Sequence, residues 1–246
     1  MPALPSDGLP LSFGNVAELY DRVRPEYSAE ALDLLSSELG LEESATVLDL
    51  AAGTGKLTRP LAERFGRVIA IEPNDAMRRL NHAETLAGTA EQIPLPDSSV
   101  DAVFVGEAFH WFDGPAALRE IARVLRPRGG LALLWKMWWE VEPPIPEEAV
   151  ELLSGPFVRY GRVAKAHGDE WRDAFEGSLF EPLQEEALNE ELEVDSDLLV
   201  DMYLTGSSIA LLPRDERDAL GNRLRELLGG RYRIPISVEL AWTRLI

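Results

Sequence analysis

Asp49-Leu50-Ala51-Ala52-Gly53-Thr54-Gly55 sets an acid shortly before two closely spaced glycines, and Glu72 follows 19 residues past Gly53. Glycines lack Cβ, so the backbone turns tightly and lies close against a ligand, while a carboxylate at the tip of the next strand accepts two ribose hydroxyls. An adenosine-bearing ligand suits both features. A dinucleotide fingerprint asks for a third glycine, so that a helix N-terminus faces a pyrophosphate; Thr58 stands there instead, and Lys56 directly follows Gly55. The nicotinamide reading is therefore disfavoured. Asp49 instead suits a ligand that brings its own cation, by accepting from an ammonium or by orienting the loop that does. Each residue also has an ordinary role: Asp49 as a helix cap, Glu72 as a strand-end carboxylate and Met77 as core.

Away from this motif the candidates are fewer. His110 is the one histidine in a suggestive place, since His82 falls in a helix tail and His167 in a surface segment. It is a candidate general base, or else a histidine that fixes its loop by hydrogen bonding. Tyr20, Arg24 and Tyr27 combine an arginine with two aromatics, an arrangement for receiving a carboxylate or closing over a cation. No metal site is expected, and with no cysteine in the chain thiolate nucleophiles, disulfides and cysteine-based metal centres are excluded.

The elements that carry these residues alternate. Val16 to about Leu39 is helical in two pieces, broken at Arg24-Pro25, with Ser28 as the second N-cap. Ala45–Leu50 reads as a strand, followed by the glycine turn and a helix through Phe65; Val68–Ile71 is a second buried strand, stopped by Glu72-Pro73-Asn74. Glu84–Leu86 and Val100–Val105 are further strands, Ala116–Leu125 is a helix, and a long apolar strand, Leu131–Trp139, follows a turn at 126–130. Beyond Glu140 the prolines 143, 144 and 146 break the pattern, and residues 140–181 read as a small helical insertion after the fifth strand. Strands at 183–194 and 231–245 flank two helices. Right-handed crossovers make this a doubly wound, mostly parallel seven-stranded α/β sheet whose ligand crevice opens at the strands' carboxyl ends. A single domain over 1–246 is expected, with a proline-rich arm at 1–27 that has few apolar anchors and acts as a lid. Of the tryptophans 135, 138 and 139, at least one is expected to leave the core and line a cavity.

At Val47–Gly55, Val68–Met77, Gly88–Pro94, Val100–Val105 and Arg123–Gly130 the sequence resembles the class I S-adenosylmethionine-dependent methyltransferases. The phrases at 20–27, 89–95 and 108–113 resemble the small-molecule enzymes of the ubiquinone/menaquinone and trans-aconitate group. The resemblance implies a Rossmann-like methyltransferase fold with S-adenosyl-L-methionine as cofactor. It implies that Asp49, Ala51, Gly53 and Gly55 line the methionine moiety and that Glu72 holds the ribose. Pro73, Asn74 and Met77 would pack on the adenine, Ala90 and Glu91 would meet its edge, and Glu107 with Ala108 would lie under the sulfonium. Thr89 stands where relatives often carry Asp, which removes a carboxylate partner for the adenine amino group.

Composition bounds the partners. The 24 basic residues against 43 acidic ones leave a net charge of −19, so non-specific binding to nucleic acid or to anionic lipid is excluded. No run of about 18 apolar residues exists, and the N-terminus has neither a basic nor an apolar signal region, so a cytoplasmic chain without membrane insertion is expected. The reading is a methyltransferase acting on a small-molecule acceptor by in-line displacement, with His110 and Tyr20 as candidate catalytic residues. The alternative is a module that binds S-adenosylmethionine or S-adenosylhomocysteine without turnover. Oligomeric state and acceptor atom are not encoded in any motif.

Overall fold

The computed structural model of the protein describes residues 13–138, 145–160 and 169–246. Seven strands form one sheet: β1 (Thr46–Leu50), β2 (Arg67–Ile71), β3 (Glu84–Leu86), β4 (Val100–Gly106), β5 (Leu125–Met137), β6 (Gln184–Asp195) and β7 (Arg231–Arg244), in the order β3-β2-β1-β4-β5-β7-β6. The pairs β1–β2, β1–β4, β2–β3 and β4–β5 are parallel. The order reverses between β1 and β4, which places the topological switch point at their carboxyl ends. Val47, Leu48, Leu50, Val103, Phe104 and Leu131 are all fully buried, as parallel strands covered on both faces require.

The chain divides into two compact units. The larger contains the described residues of 25–136, 169–188 and 238–246, including β1 to β4 and almost all of β5. Its helices are Ala29–Glu38, Thr58–Arg64, Asp75–Arg78 and Gly114–Val124. Ser28 caps the first, its hydroxyl accepting from Ala31 N at 3.3 Å, as expected. Asp113 caps the last, accepting from Ala116 N at 3.1 Å, and Ala117, Leu118, Ile121 and Val124 form its buried face. A 3-10 segment, Asp169–Phe175, also belongs here. The smaller unit holds Ala17–Val23, Glu147–Tyr160, Ser196–Leu204, Ser207–Ala210 and Arg214–Leu227, so the described parts of 140–181 are shared between the units. Among the described residues no helix is long and apolar enough to cross a membrane.

Two local expectations are corrected. The turn at 126–130 is an excursion inside β5: Val100 pairs with Leu125 and Ala102 with Gly130, so one residue of β4, Asp101, opposes the four residues 126–129 of β5. Gly130 is required by packing, since a Cβ there would stand 2.7 Å from a Leu39 methyl. The segment before residue 28 does have apolar anchors: Val16, Ala17, Val23 and Tyr27 are buried. Of the three tryptophans, Trp135 and Trp138 are buried, and Trp139, like the proline-rich start of the arm, lies outside the described residues, so the expectation that one of them leaves the core is neither met nor overturned.

Candidate active site at the carboxyl ends of the central strands

β1 ends at Leu50, and the chain turns at once through Ala51 (φ +59°), Gly53 (φ +56°) and Gly55 (φ +92°). Ala52 N donates to Ile71 O at 2.9 Å, docking the turn on the tip of β2. Glu72 then staples the two strand ends. Its Oε2 accepts from Gly53 N at 2.8 Å and its Oε1 from Asn74 N at 2.8 Å. Asn74 caps the next helix through Oδ1, which accepts from Ala76 N and Met77 N. Met77 lies over the turn, its methyl 3.3 Å from where a Gly53 Cβ would stand. The tip of β2 thus shapes the glycine loop, and Glu72 is 5% exposed rather than an open strand-end carboxylate.

Beneath the loop runs a second network. Asp49, 1% exposed, accepts from the Thr58 hydroxyl at 2.5 Å through Oδ2, and Thr58 Oγ1 accepts from Asn81 Nδ2 at 2.9 Å. A Cβ on Gly55 would come 2.8 Å from Asn81 Oδ1, so this glycine makes room for Asn81. Asp49 Oδ1 and Thr54 Oγ1 are buried without a hydrogen-bond partner among the described residues. Burial pushes the Asp49 carboxyl up to about 7; the Thr58 hydroxyl pulls it down, and the Glu72 charge adds to the rise. Burial also raises Glu72, against the lowering effect of the Asn74 and Gly53 amides and Arg78.

A methyltransferase domain model matches residues 48–133, the part of the chain that builds this loop and its neighbours. An uncharacterised methyltransferase of Mycobacterium bovis is 49% identical over 130 residues, which are 51% of this chain and 52% of that protein. An uncharacterised methyltransferase of Schizosaccharomyces pombe is 32% identical over 219 residues, 85% of this chain and 84% of its own length. The chain belongs to the class I S-adenosylmethionine-dependent methyltransferases. The match spans about half the length of the mycobacterial relative. The [4+2]-cyclase SpnF shares the fold, with a TM-score of 0.57 at 16% identity over 100% of this chain and 98% of that one.

Glu107, next after β4, has φ +57°; its N donates to Leu134 O and its Oε1 accepts from Lys136 N at 2.6 Å. Left-handed conformation in a non-glycine residue is strained, and here it sits at the tips of both β1 and β4. His110 lies in the 3-10 turn Phe109–Trp111, where its Nδ1 accepts from Trp135 Nε1 at 3.2 Å. That bond assigns the proton of the neutral ring to Nε2. His110 also lines an open cleft of about 280 Å³ with Phe109, Phe112, Trp171, Asp173 and Ala174; Asp49 and Glu72 are not among its walls. Ala90 is buried and Pro73 exposed, and Glu91 Oε1 accepts from Asp113 N at 3.0 Å. Tyr20 belongs to the smaller unit, where the Arg24 guanidinium lies 5.3 Å from its ring centre and 5.0 Å from that of Trp138.

Sequence reasoning missed the roles of Thr54, Asn81, Trp135 and Lys136, and took Thr58 only as a missing glycine. Lys136 is buried at the end of β5, its Nζ donating to Pro25 O at 2.7 Å and Glu26 O at 2.5 Å and lying 4.1 Å from the Tyr27 ring centre. A lone lysine inside an apolar strand was its one visible signal. Asn81 had none, because its partner Thr58 lies 23 residues away.

Proposed function

We infer that this methyltransferase binds S-adenosyl-L-methionine at the tips of β1 and β2 and transfers the methyl group to a small-molecule acceptor. The observation that carries the reading is the pair of buried polar atoms without a partner among the described residues, Asp49 Oδ1 at the end of β1 and Thr54 Oγ1 on the glycine loop that Glu72 Oε2 holds at Gly53 N. A buried acceptor without a donor is costly, and an ammonium-bearing ligand supplies one. The residues therefore fit the cofactor. In this reading Asp49, Ala51, Gly53 and Gly55 hold its methionine end, and Glu72 accepts from the ribose through the lone pairs that the backbone amides leave over. Pro73, Asn74, Met77, Ala90 and Glu91 surround the adenine, and Glu107 lies toward the reacting end. When bound, the cofactor supplies an electrophilic methyl group.

The chain's own contribution is position and exclusion of water. Holding both reactants in line is worth roughly 7–11 kcal/mol, so no strong base is required when the acceptor is already an anion. His110, with Nδ1 engaged by Trp135, and Trp171 stand on the wall of the aromatic cleft that receives the acceptor. Incubation with methyl-labelled S-adenosylmethionine and a panel of small carboxylates, phenols and amines tests this: labelled product supports transfer, whereas tight cofactor binding with no product on any acceptor favours the module without turnover.

A further inference from the structure

Asp49, Thr58 and Asn81 form a chain of hydrogen bonds that runs in one direction. Asn81 Nδ2 donates to Thr58 Oγ1, so the Thr58 hydrogen is left to point at Asp49 Oδ2. Oδ2 is thereby fixed, and the unmet demand of the carboxylate falls on Oδ1, which is buried and has no partner among the described residues. The register partners of Asp49 are Ala70 on β2 and Phe104 on β4, neither of which carries charge. Glu72, past the tip of β2, is the charged group that bears on Asp49, and its charge is of the same sign. Arg78 acts on Glu72 rather than on Asp49. Lys56 in the glycine turn and Arg59 and Arg64 in the helix Thr58–Arg64 are the cations carried by the elements that follow Asp49.

We propose that Thr58 and Asn81 are positioning residues that aim Asp49 Oδ1 at the cofactor's ammonium, and that binding this cation expels a proton from the Asp49 carboxyl. The inference rests on the cofactor reading given above. The step balances: the O–H bond of the carboxylic acid breaks, its proton goes to the buffer, and the carboxylate formed accepts a hydrogen bond from the ligand's ammonium. The relay decides how readily this happens. A hydroxyl donated to Oδ2 stabilises the charged form, so with Thr58 in place the proton leaves at lower pH than without it. With the carboxyl near 7 in the ligand-free protein, affinity should be about tenfold weaker at pH 6 than at pH 8, and the release at pH 7 should be about half a proton per ligand.

The test uses S-adenosylhomocysteine, which keeps the ammonium but has no methyl group to transfer. Titration calorimetry of the whole chain at pH 6, 7 and 8, in buffers of different ionisation enthalpy, measures affinity and protons exchanged together. The wild-type chain is expected to release protons on binding, and Thr58→Val to enlarge the affinity ratio between pH 8 and pH 6 several-fold. Thr58→Ser, which keeps the hydroxyl, should restore the wild-type profile, and Asp49→Asn should abolish the release while leaving weaker, nearly pH-independent binding. Ionisation of the ligand's own amine has the opposite sign, since binding its cationic form takes protons up. Binding without release, release that survives in Asp49→Asn, or a profile unchanged in a folded Thr58→Val overturns the relay while leaving the cofactor reading intact. Absence of any binding to the wild-type chain overturns the cofactor reading, and the relay with it.

Discussion

Asp49 and Glu72 are two buried carboxylates whose surroundings differ. Glu72 meets two backbone amides, whereas Asp49 meets one hydroxyl and leaves an oxygen unmet. The consequence for stability follows from the sign of the shift. The Asp49 carboxyl is raised from 3.8 to about 7, so its contribution is fully present below about pH 4 and is lost as pH rises through 7. Asp49→Asn should therefore raise the melting temperature of the ligand-free protein at pH 8 by several degrees and change it little at pH 4. Scanning calorimetry at both values checks this, at about 2–4 °C per kcal/mol for a chain of this size. Glu72→Ala is expected to act oppositely. Removing an acceptor from two buried amides should cost roughly 2–4 kcal/mol in urea unfolding, besides weakening S-adenosylhomocysteine binding. An unfolding free energy equal to wild type would show that the staple is not structural.

Among the elements, the glycine loop and the β5 excursion depend on residues that lack a side chain, for different reasons. Gly53 holds φ +56° under the Met77 methyl, so Gly53→Val puts a β-branched side chain into a left-handed conformation. It should lose cofactor binding and on the order of 1–3 kcal/mol of stability, with its far-ultraviolet circular dichroism close to native at low temperature. Gly130 has ordinary φ but faces the Leu39 methyls at 2.7 and 2.8 Å. Gly130→Ala should destabilise by about 1–3 kcal/mol through overpacking. Leu39→Val in the same chain should recover part of that loss, a coupling that a double-mutant cycle measures directly. Additive losses would place the constraint in the backbone instead.

For the whole molecule the dominant quantity is the net charge of −19. Self-repulsion opposes compactness, and its range falls from about 30 Å at 0.01 M salt to about 8 Å at 0.15 M. The melting temperature at pH 8 should rise when sodium chloride is increased over this interval; a fall would mean that surface ion pairs such as Arg126–Asp101 and Arg223–Glu148 outweigh the repulsion. Exchange behaviour of the N-terminal segment is a second property at this scale. Val16, Ala17 and Val23 are buried, so residues 17–23 should show protected amides before any ligand is added. Fast exchange there, slowed by S-adenosylhomocysteine, would instead establish a lid.

Alternation of buried strands with helices, the proline break at Arg24-Pro25, the Ser28 cap and the motif from Asp49 to Glu72 were legible in the sequence, because each depends on residues near in the chain. Period, propensity and glycine placement are local quantities. What tertiary structure alone decided is how each functional group is used. Glu72 was visible as an acid at a strand tip, but its burial and its two amide partners arise only when β2 docks against the β1 loop. Asn81 reaches Asp49 through Thr58 because the chain after Arg78 returns under the glycine turn, and His110 meets Trp135 because β4 and β5 lie side by side. Hydrogen bonds and desolvation depend on separation in space, and it is those that fix where a proton sits on Asp49 and on His110.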